Sequence, residues 1–224
     1  MNLGNDWLGF VLCTIYVLGM IALGEGLRRW LGYTSNFTRK VIHIGVGMVA
    51  WLLHFFFQLP WLFIICCGIF AVLTFLDWKY GLVEAMASGD ESNLGTVYFP
   101  IMVAIVVYFF WDRPPLMVAA LMPLTWGDGM APVIGRRFGT LSYQILSTKR
   151  TLEGSLGFFL FAFVFTWLAL WAVNGSPNIS PIEALVPALV VTAVSTLVEA
   201  ISVWGLDNIT ITIAAMLILN AWPF

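Results

Sequence analysis

Eight apolar stretches dominate this sequence and restrict it to one kind of fold. Each has close to the roughly 20 residues that a helix needs to cross the hydrocarbon core of a bilayer. Hydrophobic residue types make up 61% of the 224 positions and charged residues only 10%, a balance that is not typical of a water-soluble domain. Backbone groups in lipid must be satisfied within their own segment, and the stretches are continuous rather than alternating, so helices are expected instead of a barrel. The stretches cover residues 7–25, 41–57, 61–76, 94–111, 116–134, 155–173, 182–203 and 209–223.

The sequence therefore predicts an all-α, polytopic membrane bundle of about seven to eight transmembrane helices. The last stretch is short and contains Asn220. If it does not cross, only the side of the C-terminus changes. No internal repeat or linker divides the chain, which predicts a single transmembrane domain over residues 1–224. The cysteines are odd in number and lack metal-ligand spacing, so we expect free, buried thiols.

The distribution of positive charge predicts how the chain is oriented. Nine of the ten Lys and Arg residues follow an odd-numbered stretch, and Arg113 is the exception. Because cytoplasmic loops are enriched in Lys and Arg, these segments are predicted to be cytoplasmic and both termini to face outward. A bacterial cytoplasmic membrane and a photosynthetic internal membrane fit this pattern equally. The nine cations are Arg28, Arg29, Arg39, Lys40, Lys79, Arg136, Arg137, Lys149 and Arg150.

The fifth stretch contains a carboxylate, Asp128, which lies between two glycines and is bracketed by Pro123 and Pro132. An ionised Asp near hydrocarbon costs about 2.5–3.5 kcal/mol unless it faces a polar cavity or a cation, so Asp128 is a candidate functional residue. Gly127 and Gly129 allow close approach of a nucleotide or of a second helix. The alternative is that Asp128 only pairs with an Arg at the helix end.

A basic, glycine-containing region follows, at residues 135–139 and 148–155. Its four cations and the start of the next helix supply positive charge and backbone N–H donors suited to phosphate oxygens. It is not a Walker A loop, because the required spacing of glycines and lysine is absent. The alternative is an ordinary positive-inside segment that attracts anionic lipid.

Other polar groups reach the same predicted side. Arg39 and His43 are four residues apart and share a helical face. Residues 90–96 and 205–210 hold carboxylate, amide and hydroxyl oxygens, which suit Mg²⁺ with bound waters but also suit helix capping. Glu199, about two turns before the second of these segments, is expected to face the polar region or to pair with a cation.

Four motifs, taken together and in their order along the chain, resemble those of the membrane polyprenol kinases and CTP transferases. The resemblance covers about residues 37–212, and within that group residues 125–139 are most similar to the phytol kinases. The motifs are Arg39-Lys40-x-x-His43, Gly127-Asp128-Gly129-x-Ala131-x-x-x-Gly135-x-x-x-Gly139, Lys149-x-x-Glu153-Gly154-Ser155 and Gly205-Leu206-Asp207-Asn208-Ile209-Thr210.

The resemblance implies an enzyme that transfers a phosphoryl group from a nucleotide, typically CTP, to the hydroxyl of a long-chain isoprenoid alcohol such as phytol, with Mg²⁺. Such transfer depends on positioning and on neutralising oxygen charge. On this hypothesis Asp128, Glu153 and Asp207 bind Mg²⁺ or orient its waters. Asp128, His43 and Asp207 are the predicted catalytic residues, and His43 or Asp207 takes the alcohol proton. The predicted nucleotide-binding residues are Arg39, Lys40, Gly127, Gly129, Lys149, Arg150, Gly154 and Ser155.

Three alternatives remain open at this point. A phosphatidate cytidylyltransferase would use the same nucleotide and metal but would release pyrophosphate. A dolichol, farnesol or diacylglycerol kinase would differ only in its acceptor. A small membrane transporter would be expected to show midplane charges and paired broken helices. In this sequence Pro123, Gly127 and Gly129 are expected to break one helix, the fifth, without a paired broken helix, and the charges gather at one face.

Overall fold

The computed structural model describes residues 4–87, 94–145, 148–203 and 205–224, most of which are helical. The predicted all-α membrane bundle is confirmed. The chain divides into two compact units, Met1–Tyr108 and Phe109–Phe224. The expectation of one catalytic domain over residues 1–224 stays a prediction.

The first unit is built from helices. Its elements are α1 (Asp6–Leu31), α2 (Ser35–Gly47), a 3-10 helix (Met48–Leu52), α3 (Leu53–Phe56), α4 (Pro60–Tyr80), a second 3-10 helix (Glu84–Met86) and α5 (Gly95–Phe110), whose last turn enters the second unit. The side chain of Asn5 caps α1 by accepting hydrogen bonds from the N–H groups of Trp7 and Leu8. α2 packs back on α1, and the Tyr16 hydroxyl donates to the carbonyl oxygen of Gly45 at 2.8 Å.

The second unit carries most of the candidate site. Its elements are α6 (Pro114–Met122), a π-helical segment (Pro123–Asp128), α7 (Gly129–Phe138), β1 (Ser142–Ile145), β2 (Thr148–Thr151), α8 (Leu152–Ala172), α9 (Leu185–Ile201) and α10 (Asp207–Ala221). α8 packs against α6, the π segment, α7 and α9. α10 packs against α6, the π segment and α9. Every residue from Pro115 to Met122 is buried, so α6 forms part of the core.

All eight predicted apolar stretches coincide with helices. Among the residues that the structure describes, five helical segments are long and apolar enough to cross a membrane: Asp6–Leu31, Ser35–Phe56, Pro60–Tyr80, Pro114–Phe138 and Leu152–Ala172. Three apolar helices in the same part of the chain are shorter, Gly95–Phe110, Leu185–Ile201 and Asp207–Ala221. The count of seven to eight spans stays a prediction. Cys13, Cys66 and Cys67 are free and buried, as expected.

Two features differ from the sequence-based expectation. The proline and glycine residues were expected to break the fifth helix, but α6 continues into α7 through the π segment. Proline has no N–H to donate to the helix, and a π turn shifts the neighbouring hydrogen bonds by one residue. The helix can therefore continue past the proline. The second difference is the antiparallel β1–β2 hairpin inside the basic region, which sequence patterning did not indicate.

Candidate active site

Asp128 lies at the end of the π segment with only 8% of its surface exposed. The segment begins at Pro123, and π turns inside α-helices occur frequently at functional sites. It packs against α8, α9 and α10. The structure therefore places this carboxylate on a locally distorted helix in the buried part of the second unit.

Gly127 allows the π segment to approach α8 closely. A Cβ atom added at Gly127 would lie 2.9 Å from two ring carbons of Phe158, whose side chain is fully buried. Gly127 was predicted to allow close approach of either a nucleotide or a second helix, and the structure shows the approach of a second helix.

Aromatic stacking also holds the π segment against α8. The ring of Trp126 lies parallel to that of Phe165, with centroids 3.9 Å apart and an angle of 3°. Phe161 lies one turn earlier on α8, with its centroid 5.9 Å from that of Trp126. Stacked aromatic pairs of this kind stabilise beyond the area that they bury. The position of Asp128 is thus set by contacts of the two residues that precede it, Trp126 and Gly127.

Small residues also bring α7 and the start of α8 together. A Cβ atom on Gly154 would lie 3.0 Å from the carbonyl oxygen of Ala131 and 3.3 Å from the Cα atom of Gly135. Thr151 caps α8, because its hydroxyl oxygen accepts a hydrogen bond from the N–H of Gly154 at 3.1 Å. The N–H of Leu152 donates to the carbonyl oxygen of Leu141 at 2.9 Å. These two first-turn donors, which were predicted to face phosphate, have partners within the protein.

The β1–β2 hairpin has an anchored face and an exposed face. Tyr143 pairs in register with Arg150, and Gln144 with Lys149, so the two pairs lie on opposite faces. The hydroxyl groups of Tyr143 and Ser155 are hydrogen-bonded at 2.6 Å. Gln144 and Lys149 are exposed. Ser155, a predicted nucleotide-binding residue, therefore holds the hairpin, whereas Lys149 is accessible.

Arg150 forms a buried ion pair with Glu199 in the last turn of α9. The side chain of Arg150 is 16% exposed and that of Glu199 is 4% exposed. Arg150 Nη2 also donates to the carbonyl oxygen of Ser202 at 2.9 Å. Glu199 was expected either to face the polar region or to pair with a cation, and the pairing with a cation is confirmed. The predicted role of Arg150 in nucleotide binding stays a prediction.

The other two predicted metal ligands have local partners. The carboxylate of Glu153 accepts hydrogen bonds from the N–H groups of Thr140, at 2.9 Å, and Leu141, at 3.1 Å. Asp207 Oδ1 accepts from the backbone N–H and the side-chain Nδ2 of Asn208, both at 2.9 Å. Across the described residues, no group of three or more His, Cys, Asp or Glu side chains is arranged to hold a metal ion. The three predicted ligands are therefore not gathered into one preformed cluster.

Gly129, another predicted nucleotide-binding residue, is buried at the start of α7, and three predicted residues lie in the first unit. Arg39, Lys40 and His43 all lie on α2, and the ring of His43 is 4.6 Å from that of Phe99 between centroids. Their predicted roles in nucleotide binding and proton transfer stay predictions. Residues 90–93, part of the acidic segment considered above, lie outside the described residues.

Sequence reasoning missed the residues that fix the hairpin in place. Tyr143 received no role, and the partner of Glu199 was not identified. The alternation of Tyr143 and Ile145 with polar residues is a weak strand signal in a segment of only four residues. Asn208 was not assigned a role of its own, yet it is 5% exposed and its amide contacts Asp207.

Taken together, the helices and the site define a multi-pass membrane protein with a buried carboxylate on a π-distorted helix and a basic hairpin after that helix. No protein-family model matches the chain. No solved structure matches it either.

Known proteins nevertheless resemble the chain, one of them over nearly its full length. This chain is 28% identical to a phytol kinase of Synechocystis over 219 residues, which is 96% of this chain and 91% of that protein. It is 27% identical to a chloroplastic farnesol kinase of Arabidopsis thaliana over 139 residues, 56% of this chain and 44% of that protein. A probable chloroplastic phytol kinase of Triticum aestivum is 29% identical over 58% of this chain and 47% of its own length.

These similarities confirm the resemblance to the polyprenol kinases that the motifs predict: the chain is similar to phytol and farnesol kinases. Those relatives are phosphotransferases with an alcohol acceptor, the enzyme class predicted from the sequence. The chain spans less than half the length of the two plant proteins.

Proposed function

We propose that this chain is a CTP-dependent lipid-alcohol kinase, which phosphorylates a long-chain isoprenoid alcohol such as phytol. The reaction would take place at the cytoplasmic face of a bacterial cytoplasmic or photosynthetic internal membrane. Similarity to a phytol kinase over 96% of the chain supports the acceptor class. The structural observation that carries the proposal is the buried carboxylate of Asp128, on a segment that packs against α10, the helix that begins at Asp207.

The residues present fit a magnesium ion that is bound together with a nucleotide. Mg²⁺ usually keeps several waters and uses one or two carboxylates plus substrate phosphates, so a cage of three protein ligands is not required. Asp128 and Asp207 would supply these carboxylates. The carboxylate of Glu153 already accepts two backbone hydrogen bonds, which favours a supporting role for it. When bound, the ion would neutralise charge on the phosphate oxygens.

The protein's own contribution is to bind and orient the two substrates. Lys149 is exposed on the hairpin, so its ammonium group is accessible to phosphate oxygens from water. Asp207, half-buried at the start of α10, is the candidate base in this unit for the alcohol hydroxyl. The direction of its carboxylate is set by the two hydrogen bonds from Asn208.

Purified protein incubated with labelled CTP and a panel of lipid alcohols tests the proposal. A kinase releases CDP and a phosphorylated alcohol. Release of pyrophosphate would instead identify a cytidylyltransferase, and preference for dolichol, farnesol or diacylglycerol would correct the acceptor. Nucleotide-independent solute uptake by intact vesicles, without any product, would indicate a transporter.

A matched pair of variants connects the reaction to the site. Asp128→Asn keeps the shape of the side chain but removes its charge, so we expect turnover to fall by at least about 100-fold. Asp112→Asn is the control, because Asp112 is exposed in the turn between α5 and α6. Near-normal turnover of a folded Asp128→Asn protein would remove Asp128 from the mechanism.

A further inference from the structure

The β1–β2 hairpin is attached to the helices at two points on a single face. Tyr143 and Arg150 are cross-strand partners and therefore project to the same side of the hairpin. Tyr143 is hydrogen-bonded to Ser155 near the start of α8, whereas Arg150 is paired with Glu199 at the end of α9. The hairpin thus bridges two helices that are neighbours in the second unit.

The Arg150–Glu199 pair is enclosed and nearly isolated. Both side chains are largely removed from solvent. Within the described part of the chain, Glu199 Oε2 and Arg150 Nε have no hydrogen-bond partner, so each charge depends mainly on the other. A guanidinium whose charge is compensated in this way attracts an incoming phosphate less strongly than a free one.

The opposite face of the hairpin carries the accessible cation. Lys149 adjoins Arg150 in sequence, so its side chain projects to the other side of β2. It is exposed, as is its cross-strand partner Gln144. The two residues share a peptide bond, so any change that releases Arg150 from α9 would also displace Lys149.

We propose that Glu199 is a positioning residue of the enzyme: it holds Arg150 so that the hairpin presents Lys149 to the phosphates of the nucleotide. Arg150 then acts as an anchor and not as a phosphate ligand. This inference rests on the proposed function, because it assumes that a nucleotide binds at the hairpin.

Steady-state kinetics of purified variants distinguish the anchor from a phosphate contact. We expect Glu199→Gln and Arg150→Gln to raise the KM for CTP similarly, by about tenfold, and the double variant to be no worse than either. If Arg150 contacts phosphate directly, Arg150→Gln alone would raise the KM, and Glu199→Gln, which frees the guanidinium, would leave it unchanged or lower it. That result would overturn the inference.

Two exposed residues provide matched controls. Glu183→Gln removes a carboxylate from the turn before α9, and Lys79→Gln removes a cation from the last turn of α4. Both should leave the KM for CTP unchanged. The exchange variant Arg150→Glu with Glu199→Arg keeps the pair with its charges reversed. It should recover part of the lost affinity, and no recovery in a folded exchange variant would contradict the anchor.

A spectroscopic measurement tests the anchor without using activity. A spin label on Gln144→Cys reports the motion of the hairpin, and the native thiols are buried. We expect the label to become more mobile when Glu199→Gln or Arg150→Gln is added, but not with Lys79→Gln. Unchanged mobility would overturn the inference even if CTP is consumed. Increased mobility in a protein that consumes no CTP would keep the anchor and reject the proposed function.

Discussion

Replacing Gly127 by Ala tests how strictly the contact between the π segment and α8 positions Asp128. The added Cβ would lie 2.9 Å from Cε2 and Cζ of Phe158 and 3.0 Å from Cε1. Carbon atoms pack at about 3.5–4.0 Å, so the segment and the ring would have to separate by roughly 0.6–1 Å. The Phe158 ring is fully buried, and buried side chains in a close-packed interior yield little room.

The expected effects follow from that displacement. Overpacking of a buried site costs about 1–3 kcal/mol of stability. A shift of about 1 Å at a reacting group can lower the rate by about 100-fold. Because Asp128 is the next residue, we expect kcat to fall by about 100-fold. The stability cost of about 1–3 kcal/mol should appear as a lower melting temperature of the detergent-solubilised protein.

A control and a suppressor complete this experiment. Gly68 lies within α4 and has open space where a Cβ would be added, so Gly68→Ala should be neutral or stabilising by up to about 1 kcal/mol. Replacing the Phe158 ring by a smaller side chain, Phe158→Leu, makes room for the added Cβ and should restore part of the activity of Gly127→Ala. Unchanged kcat in Gly127→Ala, or no difference between the two glycine variants, would refute the reasoning.

Three further predictions concern the same unit. Trp126→Ala removes the stack on Phe165 and should lower stability by about 3–5 kcal/mol, as measured by thermal unfolding; an unchanged melting temperature would show that the stack contributes little. Lys149→Gln should raise the KM for CTP with little change in melting temperature, and an unaltered KM would exclude Lys149 from nucleotide binding. Chelation with EDTA should abolish transfer and added Mg²⁺ should restore it, whereas full activity in EDTA would reject the metal.

Much of the fold could be predicted because the membrane imposes a simple length rule. Each apolar stretch coincides with a helix, since a lipid-exposed backbone has few other ways to satisfy its hydrogen bonds. The burial of Asp128 follows from the same argument, because a carboxylate inside an apolar stretch must avoid lipid.

The pairing of polar residues could not be predicted in the same way. Arg150 and Glu199 are far apart in sequence, and only the packing of β2 near the end of α9 brings them together. The sequence showed that Glu199 needs a polar or cationic neighbour but left several cations available. Similarly, the helix-breaking tendency of Pro123 was clear, whereas its accommodation in a π turn depends on the contacts of Trp126 and Gly127 with α8.

The burial of the Pro114–Phe138 helix bears on how the protein assembles. Over an apolar stretch of 18 residues in this helix 72% of the residues are buried, compared with 17% over a stretch of the same length in Pro60–Tyr80. A segment with an acid and two prolines in its interior, Pro123 and Pro132, gains little from acyl chains alone, so protein neighbours must retain it in the membrane. Its stable integration during synthesis should therefore wait for α8 to emerge from the ribosome, and a chain that stops before Leu152 should leave this segment loosely inserted.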